Sequence, residues 1–283
     1  METPDETDDE QTKLWNGPAG RAWVEGQELL DQMLKPFEDL LVEAVSARPR
    51  HRVLDVGCGT GSTTVAVARL LGAKGQCVGV DVSEPMIAAA TARAGRERTP
   101  PIFIRANAQV YRFEPASFDM IISRLGVMFF ADPLRAFANL RRAAADDAEL
   151  RFVAFRSAAE NPFMTTAERA AAPLLPNLAA RRQNGPGQFA FANGDRVRVI
   201  LQDSGWSEVD VRPVDVACTL PEKELIHYLT HLGPVGRALQ EVDDETRAQV
   251  ITVARAAFDP YVHGIEVRLN AACWMVSARA LAA

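Results

Sequence analysis

The chain has 283 residues, of which 48% are hydrophobic and 24% charged, a composition typical of a globular protein that buries a core. Its formal net charge is −6, and because six acids and no base lie in the first ten residues, the remaining chain balances 31 acids against 31 bases. This balance argues against nucleic acid as a partner, since phosphate-binding proteins carry a basic excess. No apolar run reaches the ~18 residues of a membrane helix, which argues against a membrane as a partner.

Residues 1–13 form an acidic, polar leader that we predict to be disordered. This segment lacks the apolar core of a signal peptide. The four cysteines contain no CxxC pair and lie in apolar or glycine-rich stretches, so we expect buried thiols in a reducing compartment. Together these features predict a cytoplasmic protein.

Residues 14–50 form a helical cap in this prediction, because apolar residues repeat at every third or fourth position. Pro36 is expected to kink or split that helical stretch. From residue 51 to 156, five apolar strand segments alternate with helical segments, and Ser83 and Asp132 stand where helix N-caps are expected. Such alternation predicts an α/β fold with a mostly parallel sheet and helices on both of its faces.

Residues 157–192 interrupt the alternation with four prolines and short helical pieces. We predict that they form a helical lid or insertion over the carboxyl edge of the sheet. Residues 193–283 then supply the C-terminal part of the sheet and further helices on the substrate side. The range 14–283 is therefore expected to be one domain, with 51–156 as its ligand-binding core.

The stretch "VLDVGCGTGS" at residues 53–62 places Gly57, Gly59 and Gly61 between a strand and a helix. Glycines there allow a tight turn and let a ligand lie against the backbone, while the helix N-terminus offers amide donors. Asp81 ends the next strand, where an acid can accept hydrogen bonds from both ribose hydroxyls of an adenosine. These features fit a dinucleotide-binding fold and a methyl-donor fold alike. The spacing GxGxG, with Ser62 in place of a later glycine, favours the second.

With these motifs, the chain resembles the class I S-adenosylmethionine-dependent methyltransferases, and most closely the bacterial small-molecule members of the UbiE-like group. The resemblance rests on "VLDVGCGTGSTTVAVA", "GVDVSEPMI", "ANAQ", "FDMIISRLGVMFF" and "LWNGPAGRAWVE". It extends over residues 14–280, with its specific motifs in 53–130. It implies a Rossmann-like sheet of seven strands, the last of them antiparallel and formed by "GIEVRLNAACWMVSARA". It also implies S-adenosylmethionine as the cofactor.

The resemblance further implies roles for individual residues around the cofactor. The three glycines would hold its methionine part and ribose, Asp55 would lie near its amino group, and Asp81 would bind the ribose diol. Many relatives have an aspartate after the third strand that accepts from the adenine amino group, and this chain has Asn107 there, whose carbonyl can accept the same bond. The remaining implied contacts are Val82 or Met86 at the adenine, Ala108 beside Asn107, Ser123 and Arg124 near the transferring methyl, and Trp15 and Trp23 in a lid segment.

Substrate and catalytic residues are less marked. Met128 and Phe129 are candidates for lining the substrate pocket. His227, Tyr228 and His231 lie together on a predicted helix, and a spacing of four residues puts both histidines on one face, where they could contact the substrate or act as a base. No third ligand accompanies them, so no metal site is predicted. Structural explanations stay open: Asp55 as a cap of the glycine loop, Asn107 in an ordinary turn, and the aromatic and histidine side chains in core or surface packing.

The predicted function is transfer of a methyl group from S-adenosylmethionine to a small organic acceptor by direct in-line displacement. Such a reaction needs alignment and exclusion of water, and a general base only when the nucleophile is protonated. The acceptor atom is left open among O, N, C and S. Two alternatives remain: a non-catalytic S-adenosylmethionine-binding regulatory or assembly protein, and an NAD-dependent oxidoreductase. The oligomeric state also stays open, with a homodimer among its options.

Overall fold

The computed structural model describes residues 4–178 and 185–281. Four short helices come first: α1 (Pro4–Asn16), α2 (Pro18–Glu25), α3 (Gln27–Met33) and α4 (Lys35–Ser46). The break between α3 and α4 falls at Leu34, and Pro36 lies in the first turn of α4, where its missing N–H leaves no bond unmade. The prediction that Pro36 splits this segment is therefore confirmed.

Helix α1 corrects the expectation of a disordered leader, apart from residues 1–3, which lie outside the described residues. Its C-terminal end docks on the turn after the second strand. Asn16 Nδ2 donates to the Val82 carbonyl at 3.1 Å, and Asn16 Oδ1 accepts from the Glu84 N–H at 2.8 Å. The Ser83 hydroxyl donates to the Trp15 carbonyl at 2.6 Å. Charge composition alone predicts a solvated tail, and these contacts with a distant turn hold a helix instead.

The sheet confirms the predicted Rossmann-like, mostly parallel architecture. Its strands are β1 (Arg52–Val56), β2 (Gln76–Asp81), β3 (Ile102–Arg105), β4 (Phe118–Arg124), β5 (Ala144–Phe155), β6 (Ser207–Pro221), β7 (Val262–His263) and β8 (Glu266–Ala280). They are ordered β3-β2-β1-β4-β5-β8-β6, and the first five run parallel to their neighbours. Strand β8 lies antiparallel between β5 and β6, as expected for the last long strand. In the part of the chain that the structure describes, the sheet has eight strands rather than seven, because the two-residue β7 pairs with the start of β8.

The remaining helices are α5 (Ser62–Leu71), α6 (Glu84–Ala94), α7 (Pro133–Ala143), α8 (Phe163–Ala171), α9 (Gly194–Asp203), α10 (Leu225–His231), α11 (Gly233–Ala238) and α12 (Asp244–Ala257). Both predicted N-caps are present: Ser83 accepts from the Met86 N–H, and Asp132 accepts from the Arg135 N–H at 3.0 Å. Each cap satisfies a donor that the helix itself leaves free, which fixes where the helix begins.

Within the 157–192 stretch, the structure describes residues 157–178 and 185–192, and its helix is α8. The buried side chains Ala171 and Leu175 pack with Val235, Leu239 and Val250 in a small apolar cluster separate from the main core. Helix α8 thereby joins α11 and α12 in one layer. Among the described residues, no helix combines the length and apolarity that crossing a bilayer requires.

Candidate active site

A cavity of about 450 Å³ opens where the parallel strands end, with Val56, Asp81 and Arg124 in its wall at the ends of β1, β2 and β4. Parallel α/β sheets bind ligands at this edge, because the connecting loops diverge there. The volume lies in the range of small-molecule sites. The cavity also reaches α8, α10 and α11, so the N-terminal and C-terminal helices enclose it from both sides.

The glycine loop after β1 is tied to the end of β2. The N–H groups of Gly57 and Cys58 both donate to the Val80 carbonyl, at 2.8 and 3.1 Å. Gly57 has φ +67°, and a Cβ on it would lie 2.7 Å from the Cα of Gly126. A side chain at 57 is therefore excluded by the backbone of the turn that follows β4. Gly57 and Gly59 line the cavity.

Gly61 does not line the cavity. It has φ +82°, and a Cβ there would lie 2.6 Å from Cζ of Phe103 and 2.9 Å from Cβ of Ala90. The missing side chain lets α5 start against β3 and α6. The third glycine of the motif thus serves packing within the protein, and its role in holding the cofactor stays a prediction.

Asp81 joins the loop and the second strand in one wall. Its Oδ2 accepts from the Gly59 N–H at 2.8 Å, and its Oδ1 accepts from the Ser83 N–H at 2.9 Å. Burial raises the pKa of this carboxyl, while the two backbone donors act in the opposite direction. Each carboxylate oxygen has room for a further hydrogen bond, so Asp81 can still accept from a ligand in the cavity.

Asp55 lies beneath the loop and does not line the cavity, and its place near the cofactor's amino group, directly or through water, stays a prediction. Its side chain is 1% exposed, and its Oδ2 accepts from the Thr64 hydroxyl at 2.7 Å. Its Oδ1 has no hydrogen-bond partner among the described residues. Burial raises the pKa of Asp55 to about 6. The acid ties β1 to α5 and so supports the glycine loop from below.

Ser123 and Arg124 end β4, and only Arg124 lines the cavity. The buried Ser123 hydroxyl donates to the Val56 carbonyl at 2.7 Å and accepts from the N–H groups of Gly126 and Val127 at 3.2 and 3.3 Å. Leu125, which lies in this turn between Ser123 and Gly126, has φ +63°. Ser123 therefore holds the shape of the turn after β4, and its place near the transferring methyl group stays a prediction.

Val82, Met86, Asn107 and Ala108, which the resemblance places at the cofactor, all line the cavity. Asn107 uses its carbonyl oxygen within its own turn, where it accepts from the backbone N–H of Gln109 at 2.9 Å and from Gln109 Nε2 at 3.3 Å. This arrangement favours the explanation of Asn107 as a turn residue.

Aromatic side chains close one side of the cavity. The Trp15 ring meets Phe129 and Trp23 edge to face, with centroids 5.0 and 6.1 Å apart, and all three rings line the cavity. Met128 also lines it, and its sulfur accepts from the Phe155 N–H at 3.3 Å. The structure thus brings together the predicted lid and substrate-side residues.

Only one of the two predicted histidines, His231, is among the residues that line the cavity. Tyr228 and His231 line the cavity and His227 does not, although the two histidine rings stack with centroids 4.2 Å apart. His231 Nδ1 lies 3.2 Å from the His227 carbonyl and 2.9 Å from the Thr230 hydroxyl, which itself donates to the Ile226 carbonyl. Both neighbours are acceptors, so the proton of a neutral His231 belongs on Nδ1 and Nε2 is left basic. Among the described residues, no cluster of three or more metal-ligating side chains occurs.

Sequence reasoning missed most of the apolar wall. These residues come from α4, β5, α8, β8 and the segment after α12, and no motif marks them; they are Phe37, Phe155, Phe163, Met164, Phe258 and Leu269. It also missed Gln109, which lines the cavity and accepts from the Asp132 N–H at 2.8 Å. For Gln109 a signal existed, since it directly follows Asn107 and Ala108 in the motif "ANAQ".

Comparison with known proteins agrees with this geometry. A family profile described as "Methyltransferase domain" matches residues 53–147. The demethylmenaquinone methyltransferase of Renibacterium salmoninarum is 27% identical over 217 residues, covering 74% of this chain and 88% of that protein. The nocamycin O-methyltransferase of Saccharothrix syringae is 26% identical over 232 residues, covering 77% and 81%. The crystal structure of YcgJ from Bacillus subtilis has a TM-score of 0.57 at 17% identity, covering 87% of this chain and 98% of that one.

Proposed function

Since the chain belongs to the class I S-adenosylmethionine-dependent methyltransferases, which transfer a methyl group to small molecules, we propose that its cavity holds the cofactor at the glycine loop and a largely apolar acceptor beside it. The observation that carries this proposal is the joint wall of Gly57, Gly59 and Asp81. There, bare backbone and a carboxylate with spare acceptor capacity face one cavity.

The residues present fit S-adenosylmethionine. Gly57 and Gly59 leave backbone without side chains in the wall, and Asp81 offers acceptors for a ribose diol. Val82 and Met86 supply an apolar surface for an adenine ring. The backbone and side chains of Asn107, Ala108 and Gln109 form the adjoining wall. We assign these residues to cofactor binding, and we assign Gly61, Asp55 and Ser123 to supporting the loops that carry them.

In the proposed mechanism the cofactor supplies an electrophilic methyl group on a sulfonium, and the protein aligns the acceptor with it. Trp15, Trp23 and Phe129 close over the reacting groups and exclude water, which strengthens electrostatic interactions and prevents hydrolysis. An acceptor that must lose a proton could give it to Nε2 of His231. Direct displacement then needs no covalent intermediate on the protein.

We infer the class of acceptor from the apolar part of the cavity wall. Phenylalanine, methionine and leucine side chains form much of this part, and they suit an apolar ring system. The name of the Renibacterium relative supports a quinone-type ring as the acceptor. Tyr228 and His231 would then contact its polar substituents.

We also propose a cytoplasmic location, because all four cysteines are buried and free. The partner expected is the small acceptor and not nucleic acid. A homodimer remains one option for the oligomeric state.

Isothermal calorimetry with S-adenosylmethionine, S-adenosylhomocysteine and NAD in parallel tests the site. We expect micromolar binding of the first two and none of NAD, and NAD binding alone would contradict the proposal. Incubation with S-adenosylmethionine and a panel of reduced naphthoquinones, assayed for S-adenosylhomocysteine, then tests turnover. Cofactor binding without product from any acceptor would favour the non-catalytic alternative.

A further inference from the structure

Arg124 lies in the wall of the cavity and forms no ion pair with any of the described residues. Its side chain is half-buried, and its Nη1 atom is buried with no hydrogen-bond partner among them. Burial lowers the pKa of its guanidinium, because the charge is less well solvated there than in bulk water. A buried polar group that finds no partner costs free energy, and a charged one costs more.

Three acids stabilise the positive charge of Arg124, and each of them already accepts a hydrogen bond or forms an ion pair with another residue. They are Glu38, Asp55 and Asp31. Glu38 accepts from the Ser62 hydroxyl and lies 3.4 Å from Lys35 Nζ, and Asp31 pairs with Arg93 at 2.6 Å.

Asp55, the third of these acids, accepts from Thr64. The three carboxylates attract Arg124 from a distance, and none of the described residues forms an ion pair with it. The guanidinium thus lies near three carboxylates but is not in direct contact with any of them.

The backbone around Arg124 is held in a costly shape. Leu125, the next residue, has φ +63°, a left-handed backbone conformation that is costly for a non-glycine residue. Ser123, the preceding residue, makes three hydrogen bonds that keep the turn in this form. Strained residues of this kind persist where surrounding structure enforces them, and they cluster at ligand sites. Strain and the unpaired cation are independent observations at the same point.

The geometry points to Arg124 as the binding residue for an oxyanion inside the cavity, a group of the carboxylate class. This inference rests on the proposed function, whose cofactor and acceptor are two possible sources of such a group. One is the amino-acid carboxylate of the cofactor, and the other is an acidic oxygen of the acceptor. In both cases Arg124 gains the charge-assisted hydrogen bonds that it lacks in the protein alone, and a planar guanidinium can donate two of them to one carboxylate.

Calorimetry on the full chain and its R124M variant separates the sources. The ligands are S-adenosylhomocysteine, its analogue without the carboxylate, benzoate and the neutral isostere benzamide. If the cofactor is the source, R124M lowers the affinity for S-adenosylhomocysteine about 10- to 100-fold and leaves the affinity for the decarboxylated analogue unchanged. If the acceptor is the source, R124M leaves the affinity for both nucleosides unchanged. It then lowers the affinity for benzoate by the same factor but not the affinity for benzamide. R124K, which keeps the charge, retains part of the affinity in either case.

Equal affinities of R124M and the wild-type chain for all four ligands would overturn the inference. Equal weakening of the charged and neutral member of a pair would also overturn it, because this is the result of lost packing. R124Q provides a second uncharged variant in case R124M does not fold. Should the wild-type chain bind neither nucleoside, the proposed function fails, while benzoate against benzamide on the free protein still tests Arg124.

Discussion

Asp81 Oδ2 accepts a hydrogen bond from the backbone N–H of Gly59 across 2.8 Å, so the acid that ends β2 and the glycine loop after β1 hold each other in place. The same carboxylate also takes the Ser83 N–H. Asp81 is therefore both a part of the loop's structure and an acceptor in the cavity wall. Any substitution there tests both roles together.

Asp81→Ala is expected to weaken S-adenosylhomocysteine binding by about 1–3 kcal/mol, because charge-assisted hydrogen bonds to the ribose are lost. Calorimetry measures the affinity directly. Asp39→Ala is the matched control, since Asp39 is an exposed acid away from the cavity. An Asp81→Ala chain that binds like the control would contradict the assignment of the ribose.

Gly57→Ala should destabilise the fold more than Gly264→Ala. Both glycines have positive φ, +67° and +66°, so both substitutions carry backbone strain of about 1 kcal/mol or more. Of the two, only Gly57 has backbone close to the new Cβ, 2.7 Å away at Gly126 Cα, whereas nothing lies within 4 Å at Gly264. Urea denaturation of the two variants gives the comparison. Equal losses would show that the turn after β4 can move away from the loop.

Asp55→Asn should change the pH dependence of stability. The pKa of Asp55 is about 6 in the folded protein and about 3.9 in the unfolded chain. Between these two pH values the folded state therefore binds more protons at Asp55 than the unfolded state does. Its contribution to stability is therefore present below about pH 4 and is lost as the pH rises through 6. Relative to wild type, the variant should gain free energy of unfolding from pH 4 to pH 7, by up to about 3 kcal/mol. Denaturation at both pH values checks it, and a constant difference would contradict it.

The two tryptophans of the cavity should report ligand binding. Of four tryptophans, Trp15 and Trp23 line the cavity, whereas Trp206 donates to the Phe137 carbonyl and Trp274 to the Ala192 carbonyl elsewhere. Titration with S-adenosylhomocysteine is expected to change the intrinsic fluorescence of the wild-type chain and of Trp274→Phe. In a Trp15→Phe, Trp23→Phe chain the change should disappear, and its persistence would place the ligand elsewhere.

His231→Gln should lower kcat by about 100-fold or more with an acceptor that must lose a proton, since a positioned base contributes about that factor. Affinity for S-adenosylhomocysteine should stay unchanged. His227→Gln is the matched control, because its ring stacks on His231 but lies outside the cavity wall. Turnover that falls equally in the two variants would indicate a packing role for the pair.

The sequence allowed the sheet and its helices to be predicted because local signals mark them. The apolar strands, the N-caps Ser83 and Asp132 and the glycine loop each depend on residues close in the chain. Roles that depend on distant residues were not accessible. The close packing of Gly61 against Phe103 is an example, because Phe103 follows 42 residues later and no local signal connects the two. The apolar wall likewise combines residues from α4 to β8, which only the folded chain brings together.

The docking of α1 has a thermodynamic consequence. Asn16 and the Trp15 carbonyl attach this helix to the turn of Val82, Ser83 and Glu84, and the N–H of Ser83 is bound by Asp81. The same turn therefore contacts α1 and, through Asp81, the cavity wall. Docking of α1 and binding of a ligand in the cavity are linked in this way, and the linkage is reciprocal. A bound nucleoside should slow amide hydrogen exchange in α1, and by the same free energy anything that detaches α1 should weaken the binding of the nucleoside.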